Sequence, residues 1–281
     1  MLAAAVAAPA QNVRTLRLTT SDEVGISAAY FPVAGDSVPA VLLLHGFATN
    51  RDDWGTFPAL LQLNGIAALS IDLRGHGESN RKMTAKGPVV LDYHSFTTTD
   101  FQDMLLDVNA SVDWLTDQPN VDRKRIGIVG SSLGANLAVR YATFNDDLAA
   151  LILLSPGIQY KDIRIDAAVQ KIGAVPMRIV VSREDPFAYP SSTKLIEIRR
   201  DIGYPSATND LIVCTGSLHG APMLKSVAQL PVVLVTWLKQ TFHMPGASPA
   251  TEPANTPPEP RPVTGPPLSP AAPKPASPPA K

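Results

Sequence analysis

Arg125-Ile126-Gly127-Ile128-Val129-Gly130-Ser131-Ser132-Leu133-Gly134-Ala135-Asn136 runs from a β-branched stretch directly into a helix-forming one. Arg125–Val129 reads as a strand and Leu133–Phe144 as a helix. Only a tight turn fits between them, and the small residues of Gly130-Ser131-Ser132-Leu133-Gly134 permit it. A G-x-S-x-G turn in this position strains the backbone of its central residue. It lifts the Ser132 hydroxyl above the strand end, at the positive N-terminus of the helix. A Gly/Ser turn that only caps a helix has the same composition, and Ser131 competes for the position. Only Ser132 has a glycine two residues away on each side.

Outward from this turn the chain alternates short apolar runs with longer amphipathic ones. Arg14–Thr19 and Gly25–Phe31 alternate as a strand pair around Ser21-Asp22-Glu23. Ala40–Leu44 is a continuous apolar run, as a strand buried on both faces must be. Trp54–Asn64 reads as a helix closed by Gly65, and Ile66–Ile71 as the next strand. Phe101–Thr116 reads as a long helix with Asp100 as N-cap and Pro119 beyond its end. Ala149–Leu154, Met177–Val181 and Asp210–Cys214 read as strands, and Ser192–Ile202 and Val227–Gln240 as helices. Two antiparallel strands followed by repeated β-α units predict an α/β domain, its mostly parallel sheet covered by helices on both faces. Ligands of such sheets bind beyond the carboxyl ends of the strands, where the polar motifs fall.

A serine hydroxyl is a poor nucleophile until a base removes its proton. Of the five histidines, His219 lies four residues or so beyond the last strand, in Leu218-His219-Gly220, where a loop can bring an imidazole over Ser132. His243 borders the C-terminal tail, His94 reads as a surface residue, and His76 lies in a shaped loop. A base needs an acid to hold its tautomer. Asp185, in Ser182-Arg183-Glu184-Asp185-Pro186 after the strand Met177–Val181, is placed for that task, with Glu184 as the neighbour to be told apart from it. The negative oxygen of a tetrahedral intermediate needs donors already in position. The backbone N–H groups of Phe47, in His45-Gly46-Phe47 after Ala40–Leu44, and of Leu133 are the candidates.

Taken together, Leu44-His45-Gly46-Phe47, Asp72-Leu73-Arg74-Gly75-His76-Gly77-Glu78-Ser79, Gly130-Ser131-Ser132-Leu133-Gly134, Asp185 and His219-Gly220 resemble the α/β-hydrolase superfamily in order and spacing over about residues 14–240. The flavour is similar to dienelactone-hydrolase-like and prolyl-oligopeptidase-related single-domain esterases. The resemblance implies a mostly parallel eight-stranded sheet. It also implies hydrolysis of a small-molecule carboxylic ester through an acyl-enzyme, with Ser132 as nucleophile, His219 as base, Asp185 orienting it, and Phe47 and Leu133 as oxyanion donors. A peptidase or thioesterase would use the same triad, and an inactive binding protein the same fold. Dienelactone hydrolases proper use cysteine, and dehalogenases and epoxide hydrolases use aspartate, where Ser132 stands. Only about 20 residues separate Pro156 from Met177. That excludes the large helical cap many members carry there and implies an open, shallow site, with the long loop Gly75–Thr99 as one wall.

Composition sets the remaining bounds. The chain has 281 residues, 45% hydrophobic and 17% charged, which suits an ordinary globular domain, here 13–243. A net charge of -1 gives no electrostatic reason to expect nucleic acid or an anionic membrane as partner. The single cysteine, Cys214, lies in an apolar run and reads as a buried thiol. No CxxC or HExxH suggests a zinc site, and no cofactor is implied. Residues 1–12 are Ala-rich and carry the small-x-small pattern Ala8-Pro9-Ala10. They read either as a truncated signal peptide, implying secretion or a periplasmic location, or as a disordered tail of a cytoplasmic protein. No stretch is apolar for long enough to insert stably in a membrane. Residues 244–281 form a Pro-rich tail with 14 of the 27 prolines, in which proline's missing N–H prevents helix and sheet.

Overall fold

The computed structural model describes residues 13–204 and 209–245. In chain order the elements are β1 (Arg14–Thr19), β2 (Val24–Phe31), β3 (Val38–Leu44), α1 (Phe57–Leu63), β4 (Ala67–Ile71), β5 (Arg81–Thr84) and β6 (Gly87–Val90). There follow α2 (Thr98–Gln102), α3 (Met104–Thr116), β7 (Val121–Ser131), α4 (Leu133–Ala142), β8 (Ala150–Leu154), β9 (Gln159–Tyr160) and β10 (Ile163–Arg164). The chain continues through α5 (Asp166–Lys171), β11 (Met177–Ser182), α6 (Ala188–Asp201), β12 (Asn209–Cys214), α7 (Pro222–Ser226) and α8 (Leu230–Thr241). The main sheet has the order β12-β11-β8-β7-β3-β4-β2-β5-β6, with β1 on the other edge of β2. From β12 to β4 every pairing is parallel, and from β2 onward every pairing is antiparallel.

The apolar runs are continuous because both faces of the parallel strands are covered. Leu42 and Leu44 of β3 face α3 and α4, packing with Met104, Val108 and Leu137. Val41 and Leu43 face α1 and α8, packing with Leu61 and Leu234. Each such side chain, fully withdrawn from water, contributes about 1.5–3 kcal/mol. The helices α1, α3, α4 and α8 are thereby pinned to the strands whose carboxyl ends carry the polar motifs. Among the described residues no helix is long and apolar enough to cross a membrane.

The structure corrects the expectations in several places. Among the described residues the sheet is 10-stranded, not eight-stranded, because part of the loop Gly75–Thr99 is the hairpin β5–β6. It pairs with Val24 and Gly25 of β2 on the edge that β4 leaves free beyond Ala28. The helix expected from Trp54 is a 3-10 turn over Arg51–Trp54 and then α1, separated at Gly55, which has φ 56° and ψ -121°. The helix expected from Phe101 is divided into α2 and α3. Its cap is Thr97, which accepts from the Asp100 N–H while the Asp100 side chain accepts from the Thr97 N–H. α6 begins at Ala188, earlier than Ser192, because the Asp185 carboxylate takes the Ala188 N–H. The closing helix α8 starts at Leu230, later than Val227, after the separate short helix α7.

No large cap is inserted between β8 and β11. The segment instead holds the hairpin β9–β10 and α5, and Ala168 and Val169 of α5 join the core. Cys214 is a buried thiol, and burial raises its pKa above the ordinary value. Met244, assigned to the tail by the sequence, packs on the apolar cluster beneath α1 and α8. The readings for residues 1–12 and for the tail from 246 on lie outside the described residues.

Candidate active site

The turn between β7 and α4 has the geometry its sequence demands. Ser132 sits at φ 52° and ψ -114°, in the left-handed half of the map that non-glycine residues avoid. A Cβ on Gly130 would fall on the Gly134 carbonyl and the Ala135 backbone, and one on Gly134 on the carbonyls of Leu44 and His45. Both glycines are therefore required by close approach. The Ser132 N–H is tied to the Leu154 carbonyl at 2.8 Å, which anchors the turn to β8. Ser132 occupies the N-cap position of α4 but makes no side-chain capping bond, so its hydroxyl is not committed to the helix.

That hydroxyl faces His219. Ser132 Oγ lies 2.9 Å from His219 Nε2, and His219 Nδ1 lies 2.6 Å from Asp185 Oδ2. A carboxylate only accepts, so Nδ1 is the donor to Asp185, and in the neutral ring Nε2 is then the nitrogen that can accept from the serine O–H. Asp185 is 3% exposed, and its other oxygen accepts from the N–H groups of Phe187 and Ala188 at 3.1 and 2.8 Å. The carboxylate thus sits at the N-terminus of α6, where it meets backbone N–H groups that have no partner within the helix. Glu184 is exposed and has no side-chain bond to the imidazole. Sequence spacing left Asp185 and Glu184 adjacent; the structure brings only Asp185 to His219.

Two serines that the sequence reading did not assign hold the His219 loop. Ser131 Oγ accepts from the Ala221 N–H at 3.0 Å, and Ser155 Oγ accepts from the Gly220 N–H at 2.9 Å. Ser131 is therefore engaged with the backbone of the His219 loop, while the Ser132 hydroxyl faces the imidazole. No periodic or motif signal marks Ser155, which is visible only as the end of the apolar run of β8.

On the other side of Ser132 the loop after β3 comes close: a Cβ built on Gly46 would lie 3.4 Å from the Ser132 Cβ. Leu133 opens α4, so its N–H has no carbonyl a turn earlier in the helix. Among the described residues no hydrogen-bond acceptor is found for the N–H of Leu133 or of Phe47. His45 shapes this loop. Its buried ring donates to the Gly46 carbonyl at 2.6 Å and accepts from the Leu73 N–H at 2.9 Å. Burial, with His76 nearby, pushes its pKa down to about 3, so it is a neutral tie between two loops and not a second base. His76 is also buried and held down by desolvation, and it stacks on Tyr93 at 4.1 Å. Tyr93, from the long loop after β4, packs edge-on against Phe47 at 5.2 Å. His94 is a surface residue paired with Asp92 at 2.7 Å.

A carboxylate, an imidazole and a hydroxyl in this order can draw a proton from the hydroxyl and stabilise the imidazolium that results. Among the described residues no group of three or more His, Cys, Asp or Glu side chains is placed to hold a metal ion.

The comparisons with known proteins agree with this architecture. Two solved structures match its fold. An esterase from Pyrococcus furiosus, Pf2001, aligns over 82% of this chain and 91% of its own, with a TM-score of 0.65 and 20% identity. An alpha/beta hydrolase, GrgF, from a Penicillium species aligns over 83% and 100%, with a TM-score of 0.66 and 16% identity. In sequence, an uncharacterized protein of Mycobacterium tuberculosis is 32% identical over 144 residues, 51% of this chain and 45% of its own length. The human monoacylglycerol lipase ABHD6 is 26% identical over 150 residues, 49% of this chain and 40% of its own. The chain thus spans less than half the length of these curated relatives. The model of the Alpha/beta hydrolase family matches residues 41–279, the greater part of the sequence and all of the site described above. The chain belongs to the alpha/beta hydrolase family.

Proposed function

We propose that the protein is a serine hydrolase that cleaves small or medium carboxylic esters through an acyl-enzyme. The observation that carries this reading is the relay of 2.6 and 2.9 Å from Asp185 through His219 to a Ser132 held at positive φ. The Ser132 proton passes to His219 Nε2 as Oγ attacks the ester carbonyl. The carbonyl oxygen takes up the electron pair and faces the N–H groups of Phe47 and Leu133. The C–O bond to the alcohol then breaks, and the alcohol oxygen takes the proton from Nε2. Water repeats the sequence to release the acid. The names of the esterase and monoacylglycerol lipase among the similar proteins favour esters over other acyl substrates. A fluorophosphonate probe should label the peptide containing Ser132, and Ser132→Ala should abolish the label. A panel of p-nitrophenyl esters then ranks the acyl groups. Labelling that survives the substitution refutes the assignment.

A further inference from the structure

Tyr160 is the third side chain at the reacting atoms, and it has no part in the scheme above. Its phenol oxygen lies 3.3 Å from His219 Nε2 and 3.4 Å from the Ser155 carbonyl. Its ring meets the imidazole edge-on at 5.9 Å and packs on Phe187 at 4.9 Å.

This position is built into the fold. Tyr160 ends β9, whose turn to β10 runs through Lys161 and Asp162, both at positive φ. Asn136, buried on α4, holds both sides of the hairpin: its amide donates to the Ile163 carbonyl at 2.7 Å, and its oxygen accepts from the Gly157 N–H at 3.2 Å. The helix that carries Ser132 at its N-terminus thus also fixes the strand that carries Tyr160. Gly157 makes room for the ring, since a Cβ there would lie 2.8 Å from Tyr160 and 2.9 Å from Phe187. Burial, with the charge of Asp185 adding to it, leaves the phenol pKa well above its ordinary value. The group is therefore a standing donor and not a base.

The side it occupies decides what it can donate to. The Phe47 loop follows β3, on one side of β7. Tyr160 follows β8, on the other side, with the strands β11 and β12 that deliver Asp185 and His219. In the scheme above, the oxygen adjoining Nε2 on that side is the leaving alcohol oxygen. We infer that the Tyr160 hydroxyl is a further catalytic donor, which hydrogen-bonds the departing alkoxide and so suits the site to esters of ordinary alcohols. The C–O bond breaks, the electron pair goes to the alcohol oxygen, His219 Nε2 supplies the proton, and Tyr160 keeps its own. A leaving group that is already a stable anion gains little from this bond, whereas an alkoxide gains much.

The inference rests on the serine hydrolase reading, and its test is a pair of butyrate esters with the same acyl group. kcat/KM covers the steps up to departure of the alcohol, so p-nitrophenyl butyrate and ethyl butyrate differ only in the leaving group. Tyr160→Phe keeps the ring against Gly157 and Phe187 and removes only the hydroxyl. It should lower kcat/KM for ethyl butyrate roughly ten- to a hundredfold, the range for a hydrogen bond to a charged group, and that for p-nitrophenyl butyrate less than about threefold. Fluorophosphonate labelling of Ser132 should persist in the variant. An equal loss on both esters, or no loss on either, overturns the inference while the labelling leaves the hydrolase reading standing. A wild-type chain that the probe does not label refutes the hydrolase reading itself.

Discussion

Two aspartates at the carboxyl ends of parallel strands differ in what lies beyond them. Asp72 follows β4 directly and is 1% exposed; Asp185 lies three residues past β11 and is 3% exposed. Both accept backbone N–H groups, Asp72 from Arg51 and Glu78, Asp185 from Phe187 and Ala188. The Asp72 carboxylate ends on a guanidinium, Arg51 Nη1 at 2.5 Å, which goes on to Glu78. Beside it Arg74 is enclosed in the same way between Asp107 and Asp22. The Asp185 carboxylate ends on an imidazole, which can accept and return a proton, and beyond the imidazole is the largely buried Ser132 hydroxyl. An arginine keeps its proton at any working pH, so the first network can only hold loops together. The second can do chemistry. What separates them is the pKa class of the middle residue, not burial or the number of hydrogen bonds.

The sharpest way to break this comparison is to remove the terminal hydroxyl. Ser132→Ala should lower kcat by about 10⁶, as loss of the nucleophile does in other triads, without lowering the melting temperature. An equally large drop in stability would mean that Ser132 belongs to the structural class. One step inward, Asp185→Asn keeps the shape but favours the wrong imidazole tautomer, a change that costs roughly 10⁴ in kcat in serine proteases. A similar loss is expected here, against less than about tenfold for the exposed Glu184→Gln. Parallel assays of both variants on one p-nitrophenyl ester decide between the two carboxylates.

The arginine networks should respond in the opposite sense. Arg74→Met leaves Asp107 buried with no cation and should cost about 3–5 kcal/mol of stability, while kcat per folded molecule stays near the wild-type value. Burial raises the Asp107 carboxyl to about 6 even with the pull of Arg74 beside it. A carboxyl whose folded pKa is raised favours the folded state at low pH and loses that contribution as pH rises through the folded value. Without Arg74 the carboxyl rises further, so the penalty of the substitution should shrink as the solution is acidified from pH 7 toward 5. Denaturant titrations at several pH values test both the size and the slope. A penalty that grows on acidification contradicts the assignment of the charge at Asp107.

The same contrast explains what could be read from the chain alone. Ser132, Asp185 and His219 were legible because strained turns and strand ends restrict residue type: glycine is required at 130 and 134, and an acid and a base follow later strands in a set order. The buried strands were legible because β3, β4 and β8 are covered on both faces and so are continuously apolar. The hairpin β5–β6 was not, because its burial is slight and Pro88 and Gly87 resemble a loop. Nor was the role of Tyr160, Ser131 or Ser155. Each acts through contacts with residues far along the chain, Tyr160 and the two serines all meeting the His219 loop, and such contacts leave no period and no spacing in the sequence. The polar run Asp72–Ser79 was visible as a motif, but only the partners Arg51, Asp107 and Asp22, each 20 or more positions away, show that it is structural.

The smallest expected effect lies at the rim of the arginine network, on Asp22. Its side chain is 23% exposed and accepts from Arg74, Thr20 and Lys82. Burial alone would raise this carboxyl, but the hydrogen bonds from Arg74, Thr20 and Lys82 outweigh it and hold the pKa well below the ordinary 3.8. A carboxyl with a depressed folded pKa contributes stability above its unfolded value and loses it as pH falls through the folded one. Asp22→Asn should therefore lower the melting temperature modestly near neutrality, since solvent screens a partly exposed group and Lys82 and Thr20 keep a polar partner. The difference from wild type should hold between pH 8 and about 5 and narrow as the pH drops below the ordinary carboxylate value, because the wild-type unfolded chain then gains a proton that the folded one refuses. The contribution of this carboxyl is thus lost toward acid, whereas that of Asp107, only a guanidinium away, is lost toward base, although the penalties of both substitutions shrink on acidification. Thermal melts of the two proteins across that range test it: a gap that stays constant down to pH 3 would show that Asp22 works through shape and not charge.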